Sequence, residues 1–191
     1  MYRTLRYIHL LSGLFAVSML LMYGVSAVQM AHPTWIALRP VVRERTAALA
    51  PGMAGARLVM RELFAQGVRG ELLSASDIAA GYTLVVGLPG TEHQISYDRT
   101  SGKTQIRTSI RSFAGVLNRL HHAAGFWHES RGMKMWAGMV AATSAALLLM
   151  GLTGLWMWFA RKQDRLIGVL LLTGNLAFAI VMLALLRQAG P

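Results

Sequence analysis

Three apolar runs interrupt an otherwise mixed chain. Residues 7–30 (YIHLLSGLFAVSMLLMYGVSAVQM), 135–160 (MWAGMVAATSAALLLMGLTGLWMWFA) and 166–186 (LIGVLLLTGNLAFAIVMLALL) contain no Lys, Arg, Asp or Glu. Each reaches the roughly 20 residues a helix needs to cross about 30 Å of hydrocarbon. A helix also satisfies its own backbone hydrogen bonds there. The pattern predicts three transmembrane helices over 7–30, 135–160 and 166–186. Between the first two the period changes. Leu58, Val59, Leu63 and Phe64 recur at helical spacing and predict a helix over 55–66, ended by Gly67 and Gly70. The stretches 82–87 (YTLVVG), 93–97 (HQISY) and 104–108 (TQIRT) read as three short strands. Pro89-Gly90 and the run 98–103 (DRTSGK) supply the turns between them. One helix on a three-stranded meander makes a small α+β domain at about 40–111. The expected fold class is therefore an α-helical membrane protein with a small extracytoplasmic α+β domain.

Composition agrees with the pattern. Only 14% of the residues are charged, against about 25% in a soluble domain, and the mean hydropathy is +0.45. Arg3 and Arg6 precede the first run, and Arg161, Lys162 and Arg165 fill the link at 161–165 between the second and third. Basic residues in short loops mark the cytoplasmic side, so residues 1–6 and 161–165 are expected inside. Residues 31–134 and the tail 187–191 are then expected outside, in the periplasm of a bacterial inner membrane. The first run is longer than the 7–15 residues of a signal-peptide core, which favours an uncleaved anchor. The net charge of +11 is divided between two membrane faces without an Arg/Lys–aromatic array. That suits anionic headgroups and argues against nucleic acid as a partner. The chain has no cysteine, which excludes disulfides, thiolate metal sites and Cys-linked haem.

The stretch YTLVVGLPGTEHQISYDRTSGKTQIR resembles the PepSY domain, whose hairpin runs into an Asp-x-x-[Thr/Ser]-Gly-Lys turn. Asp98, Ser101, Gly102 and Lys103 match that turn. The flanking runs resemble PepSY-associated transmembrane proteins, which carry His-x-x-x-Gly near a helix start and Thr-Gly-Leu-x-x-Trp near a helix end. His9 to Gly13 and His121 to Gly125 fit the first pattern, and Thr153 to Trp158 fits the second. The resemblance implies a bacterial inner-membrane protein linked to iron uptake, some members resembling siderophore or ferric reductases with b-type haem. Many members are longer, and some carry a fused reductase domain. With three spans and no Gly-rich nucleotide-binding pattern, this chain does not read as an autonomous reductase.

Three of the six histidines fall within LHHAAGFWHES, just before the second run. Imidazole is the usual axial ligand of b-type haem, and two such ligands must approach the iron from opposite faces. His9 and His32 lie at opposite ends of the first predicted helix, roughly 35 Å apart, so they cannot share a haem. His121 and His128, if helical, share a face about 10 Å apart. A site for haem b within one chain therefore pairs His32 with His121 or His128, and these three are the candidate ligands. His122 is a spare, His93 reads as strand surface, and His9 reads as structural. The competing account makes the histidines interfacial side chains. Met30, Met133 and Met135 cluster with the same histidines and raise a Met/His copper site as a further alternative. No Ser/His/Asp set, carboxylate pair or zinc motif presents itself.

The leading sequence reading is b-haem-mediated electron transfer toward a periplasmic ferric substrate or partner. The alternative is a non-enzymatic membrane anchor or accessory subunit whose PepSY module binds a partner protein, with a homodimer as one form. The topology is open to direct measurement. A reporter fused after Pro191 is expected to be active in the periplasm, and one placed at Gln163 only in the cytoplasm. The reverse pattern would invert every location given above.

Overall fold

The computed structural model describes residues 2–36, 39–123, 125–161 and 165–188. Residues 162–164 of the expected loop and 189–191 of the expected tail lie outside the described residues. Along the chain run α1 (Tyr2–Ala31), β1 (Val41–Ala48), α2 (Ala56–Ala65), β2 (Glu71–Ile78), β3 (Gly81–Leu88), β4 (Thr91–Asp98), β5 (Lys103–Ile110), α3 (Phe113–His122), α4 (Arg131–Ala160) and α5 (Arg165–Gln188). Three of these, α1, α4 and α5, are long and apolar enough to cross a membrane. Two compact units result: Met19–Ala141, and Met1–Ser18 together with Ala142–Pro191.

In the first unit the strands form a five-stranded antiparallel sheet in the order β1-β5-β4-β3-β2. The expected meander is present as β3, β4 and β5, and the sheet is two strands wider than expected. Both additions are edge strands whose residues are largely exposed, so neither carries the apolar alternation that marks a buried strand. The core lies on one face. Register aligns Leu84, Ile95 and Ile106 in one cross-strand row and Tyr82, Tyr97 and Thr104 in the next. Val59 and Leu63 of α2 join these rows, with Val86, Val68 and Leu49. Removing each Val, Leu or Ile from water is worth about 1.5–3 kcal/mol, so this packing fixes α2 across the sheet.

The turn between β4 and β5 owes its sequence to hydrogen bonding. Asp98 Oδ1 accepts from the amides of Thr100 and Ser101 and from the Ser101 hydroxyl, at 2.9, 2.8 and 2.9 Å. The Ser101 backbone and side-chain bonds, against the opposing effect of desolvation and with a lesser contribution from Thr100, hold the Asp98 carboxyl below its usual range. Gly102 then takes φ 71, the left-handed region where a Cβ is strained. A Cβ there would also run into the Leu49 carbonyl oxygen. The Leu49 amide donates to the Gly102 carbonyl at 2.9 Å. Tyr97 secures the same corner, its hydroxyl donating to the Ala50 carbonyl at 2.9 Å and accepting from the Met53 amide at 3.0 Å.

In the second unit, His9 on α1 meets α4. Its Nδ1 lies 3.0 Å from the Met150 carbonyl oxygen and 3.2 Å from the Thr153 hydroxyl. Gly13, one turn further on, faces the Met150 sulfur, where an added Cβ would stand 3.2 Å away. The His-x-x-x-Gly and Thr-Gly motifs are thus two sides of one helix contact, held on one side by His9. On α5 none of the apolar window is buried. Thr173 satisfies its hydroxyl on its own helix, at the Val169 carbonyl 2.7 Å away.

The β4–β5 turn yields the prediction for this fold. Gly102→Ala combines a strained φ with a backbone clash and is expected to cost more than about 1 kcal/mol. That corresponds to a melting temperature lower by at least about 2 °C, measured on the full chain in detergent by near-UV circular dichroism. An unchanged melt would show that the corner does not need glycine.

Candidate functional site

The His-rich segment is built differently from a single helix. α3 begins at Ser112, whose hydroxyl accepts from the Gly115 amide at 3.3 Å, and it ends at His122. Residues 125–130 are irregular, and α4 starts at Arg131, four residues before the apolar run. His121 and His128 therefore do not share a helical face. His121 Nδ1 sits 2.6 Å from the Ser26 hydroxyl oxygen of α1, with its ring edge-on to Tyr23 at 4.8 Å between centroids. The Gln29 amide donates to the Ala114 carbonyl at 3.3 Å. His122 turns to Met30, Nε2 to Sδ 3.2 Å. The end of α1 and α3 are thus joined by polar side chains.

His128 makes a different contact, with the sheet. Glu71, Gly87 and Glu92 form one cross-strand row on β2, β3 and β4. The two carboxylates flank a glycine that leaves room between them. Glu71 Oε2 accepts from His128 Nδ1 at 2.8 Å, and Oε1 accepts from the Ser130 amide at 2.5 Å. Ser130 in turn caps α4, its hydroxyl accepting from the Met133 amide at 3.2 Å. The carboxylate therefore sits at a helix N-terminus, where negative charge is favoured. Burial by itself pushes the Glu71 carboxyl up. The Ser130 amide, the His128 ring and the Ser130 hydroxyl together outweigh it, and the group is held below its usual range. Glu92 is also held low, first by its hydrogen bond to Arg111 at 2.8 Å, against the opposing effect of burial.

A carboxylate accepts only, so His128 carries its proton on Nδ1. Its Nε2 is buried and has no hydrogen-bond partner among the described residues. Trp127 stacks on the ring at 3.8 Å between centroids. A cavity of about 170 Å³ opens beside them, lined by His122, Trp127, His128, Met133, Glu92 and Arg119 among others.

His32 lies elsewhere, stacked on Trp35 with ring centroids 4.0 Å apart. The three expected haem ligands thus have three separate neighbours: Trp35 for His32, Ser26 for His121 and Glu71 for His128. Haem b does not fit this arrangement. The cavity at His128 is smaller than the roughly 300–1,000 Å³ of pockets for drug-sized ligands, and a macrocycle is larger still. Among the described residues no group of three or more His, Cys, Asp or Glu side chains converges on a metal position. His93 is half-buried on the core side of the sheet, its Nδ1 2.9 Å from the Thr108 hydroxyl. Desolvation first and Arg45 second lower its pKa, against a raising contact at the Arg69 backbone.

Sequence reasoning did not find Glu71. A lone glutamate opening an edge strand carries no periodic signal, and its partner lies 57 residues away.

The Glu71 contacts predict a pH-dependent loss. With a folded pKa below its ordinary value, the Glu71 carboxylate contributes stability above the unfolded pKa. That contribution is lost as pH falls through the folded one. Glu71→Gln is expected to cost about 1–3 kcal/mol at pH 7, with the deficit against the wild type shrinking as pH drops toward 3. Thermal melts of both proteins across that range check it. An equal deficit at both ends would remove the carboxylate from the account.

No curated protein and no solved structure matches the chain. The family model described as PepSY_TM-like matches residues 1–187. It spans the sheet domain, the turn at Asp98–Lys103 and all three apolar helices, the features that suggested a PepSY-associated membrane protein. The chain belongs to the PepSY_TM-like family.

Proposed function

We propose that the chain is a bacterial inner-membrane accessory subunit rather than a haem-based electron carrier. On this reading α1, α4 and α5 span the bilayer, residues 1–6 face the cytoplasm, and the PepSY domain stands in the periplasm and binds a partner protein. The observation that carries it is the use made of the histidines. His121 and His128 serve as connectors, one joining α3 to Ser26 of α1 and the other joining the segment before α4 to Glu71 of β2. Such contacts fix a domain on its helix ends, which is what a binding module needs. A redox role instead needs two imidazoles facing one iron.

The third helix supports a partner within the membrane. Asn175 lies in the middle of α5 and lines a groove with Gly151 and Gly154 of α4. Its amide has no hydrogen-bond partner among the described residues, unlike Thr173, which is satisfied within its own helix. An unpaired amide in hydrocarbon is costly, and Asn side chains commonly hydrogen-bond across helices. A helix of a neighbouring chain supplies that partner on this reading.

Two measurements test the proposal. Protein purified from haem-replete cells is expected to show no Soret band. In mild detergent it is expected to run above its single-chain mass of 20.9 kDa, returning to that mass in Asn175→Leu. A Soret band lost in both His32→Ala and His121→Ala would overturn the accessory reading in favour of electron transfer.

A further inference from the structure

We infer that the cavity beside His128 is a binding site for a soft monovalent metal ion, Cu(I), held by His128, Met133 and His122, which all line it. The inference starts from the orphaned nitrogen. His128 is only 7% exposed, and its Nε2 faces no donor or acceptor among the described residues. Leaving a buried polar atom unpaired is costly, so a site that keeps one has a use for it. The Glu71 carboxylate on Nδ1 fixes the tautomer and ring direction, leaving the Nε2 lone pair free. A carboxylate on the far nitrogen is the usual outer partner of a metal-binding histidine.

The remaining donors determine which ion. Met133, 6% exposed, lines the same cavity as His128 and His122. The donors that line the cavity are two imidazoles and one thioether. Thioethers select Cu(I) over the harder divalent ions. The charge balance points the same way, because Glu71 and Glu92 are offset by Arg111 and Arg119. A neutral surrounding with neutral donors disfavours a dication and tolerates a single charge. His122 is exposed and gives the ion a way in. Met135, 76% exposed, takes no part, although it lies in the same sequence cluster.

Anaerobic titration of the full chain in detergent with Cu(I), against a chromophoric Cu(I) chelator, is expected to find one tight equivalent. Met133→Leu conserves side-chain volume, a swap that cores tolerate. It is expected to weaken Cu(I) at least tenfold with the melt unchanged. His128→Ala is expected to abolish tight binding, and Glu71→Gln to weaken it about 10–100-fold. Met135→Leu is expected to bind as the wild type does, and equimolar Zn(II) is expected to leave the bound Cu(I) in place. Absence of a tight equivalent, wild-type affinity in Met133→Leu, or displacement by Zn(II) would each overturn the assignment. The result is independent of the Soret and mass measurements, so this inference and the accessory reading can fail separately.

Discussion

A carboxylate almost wholly withdrawn from water has to be solvated by the protein itself, and Glu71 is such a group. Isolated burial of this charge would cost several kcal/mol, so its partners are prescribed by chemistry. They are an imidazole N–H, a backbone amide and the N-terminus of α4. Each has a structural consequence. The imidazole draws residues 127–128 onto the sheet, and the amide sets where α4 begins. The chain between α3 and α4 follows from satisfying one acid.

The same constraint explains which parts of the fold were legible in the sequence. Apolar runs announce long helices because nothing else tolerates twenty such residues in succession. β3, β4 and β5 announce themselves through Leu84, Val86, Ile95, Tyr97 and Ile106, whose spacing follows the buried face. β1 has no buried residue, and β2 buries only Glu71. Their existence depends on pairing with β5 and β3 rather than on their own pattern, so the sheet was read two strands too narrow. The Asp98–Lys103 turn was readable because the bonds of the Asp98 carboxylate, to Thr100 and Ser101, close within three residues.

The site was less legible for a related reason. The histidines could be seen as a cluster, but their roles depend on partners distant in sequence. Ser26, Glu71 and Trp35 decide what His121, His128 and His32 do. Only the last of these is local. A helix through residues 121–128 would place two imidazoles on one face. The break after His122 separates them, and it sends His122 toward Met30 while His128 turns toward β2. A pairing rule for haem ligands built on helix geometry could not anticipate that break.

His9, His121 and His128 nevertheless share a chemical condition that no motif states. The Met150 carbonyl accepts only, so His9 must donate from Nδ1. The Ser26 hydroxyl gives its one proton to the Tyr23 carbonyl at 2.9 Å, leaving its oxygen to accept from His121 Nδ1. The Glu71 carboxylate does the same for His128. Three unrelated acceptors thus each take the proton of an Nδ1, which is committed to holding the fold. In His9 and His121 the acceptor lies on a facing helix, so the repeated His-x-x-x-Gly pattern is first a rule for joining elements. Whether a given Nε2 then takes a ligand depends on what surrounds it. At His128 the surroundings are a small cavity and a thioether, which is why that imidazole, and not the more motif-like His121, carries the metal inference.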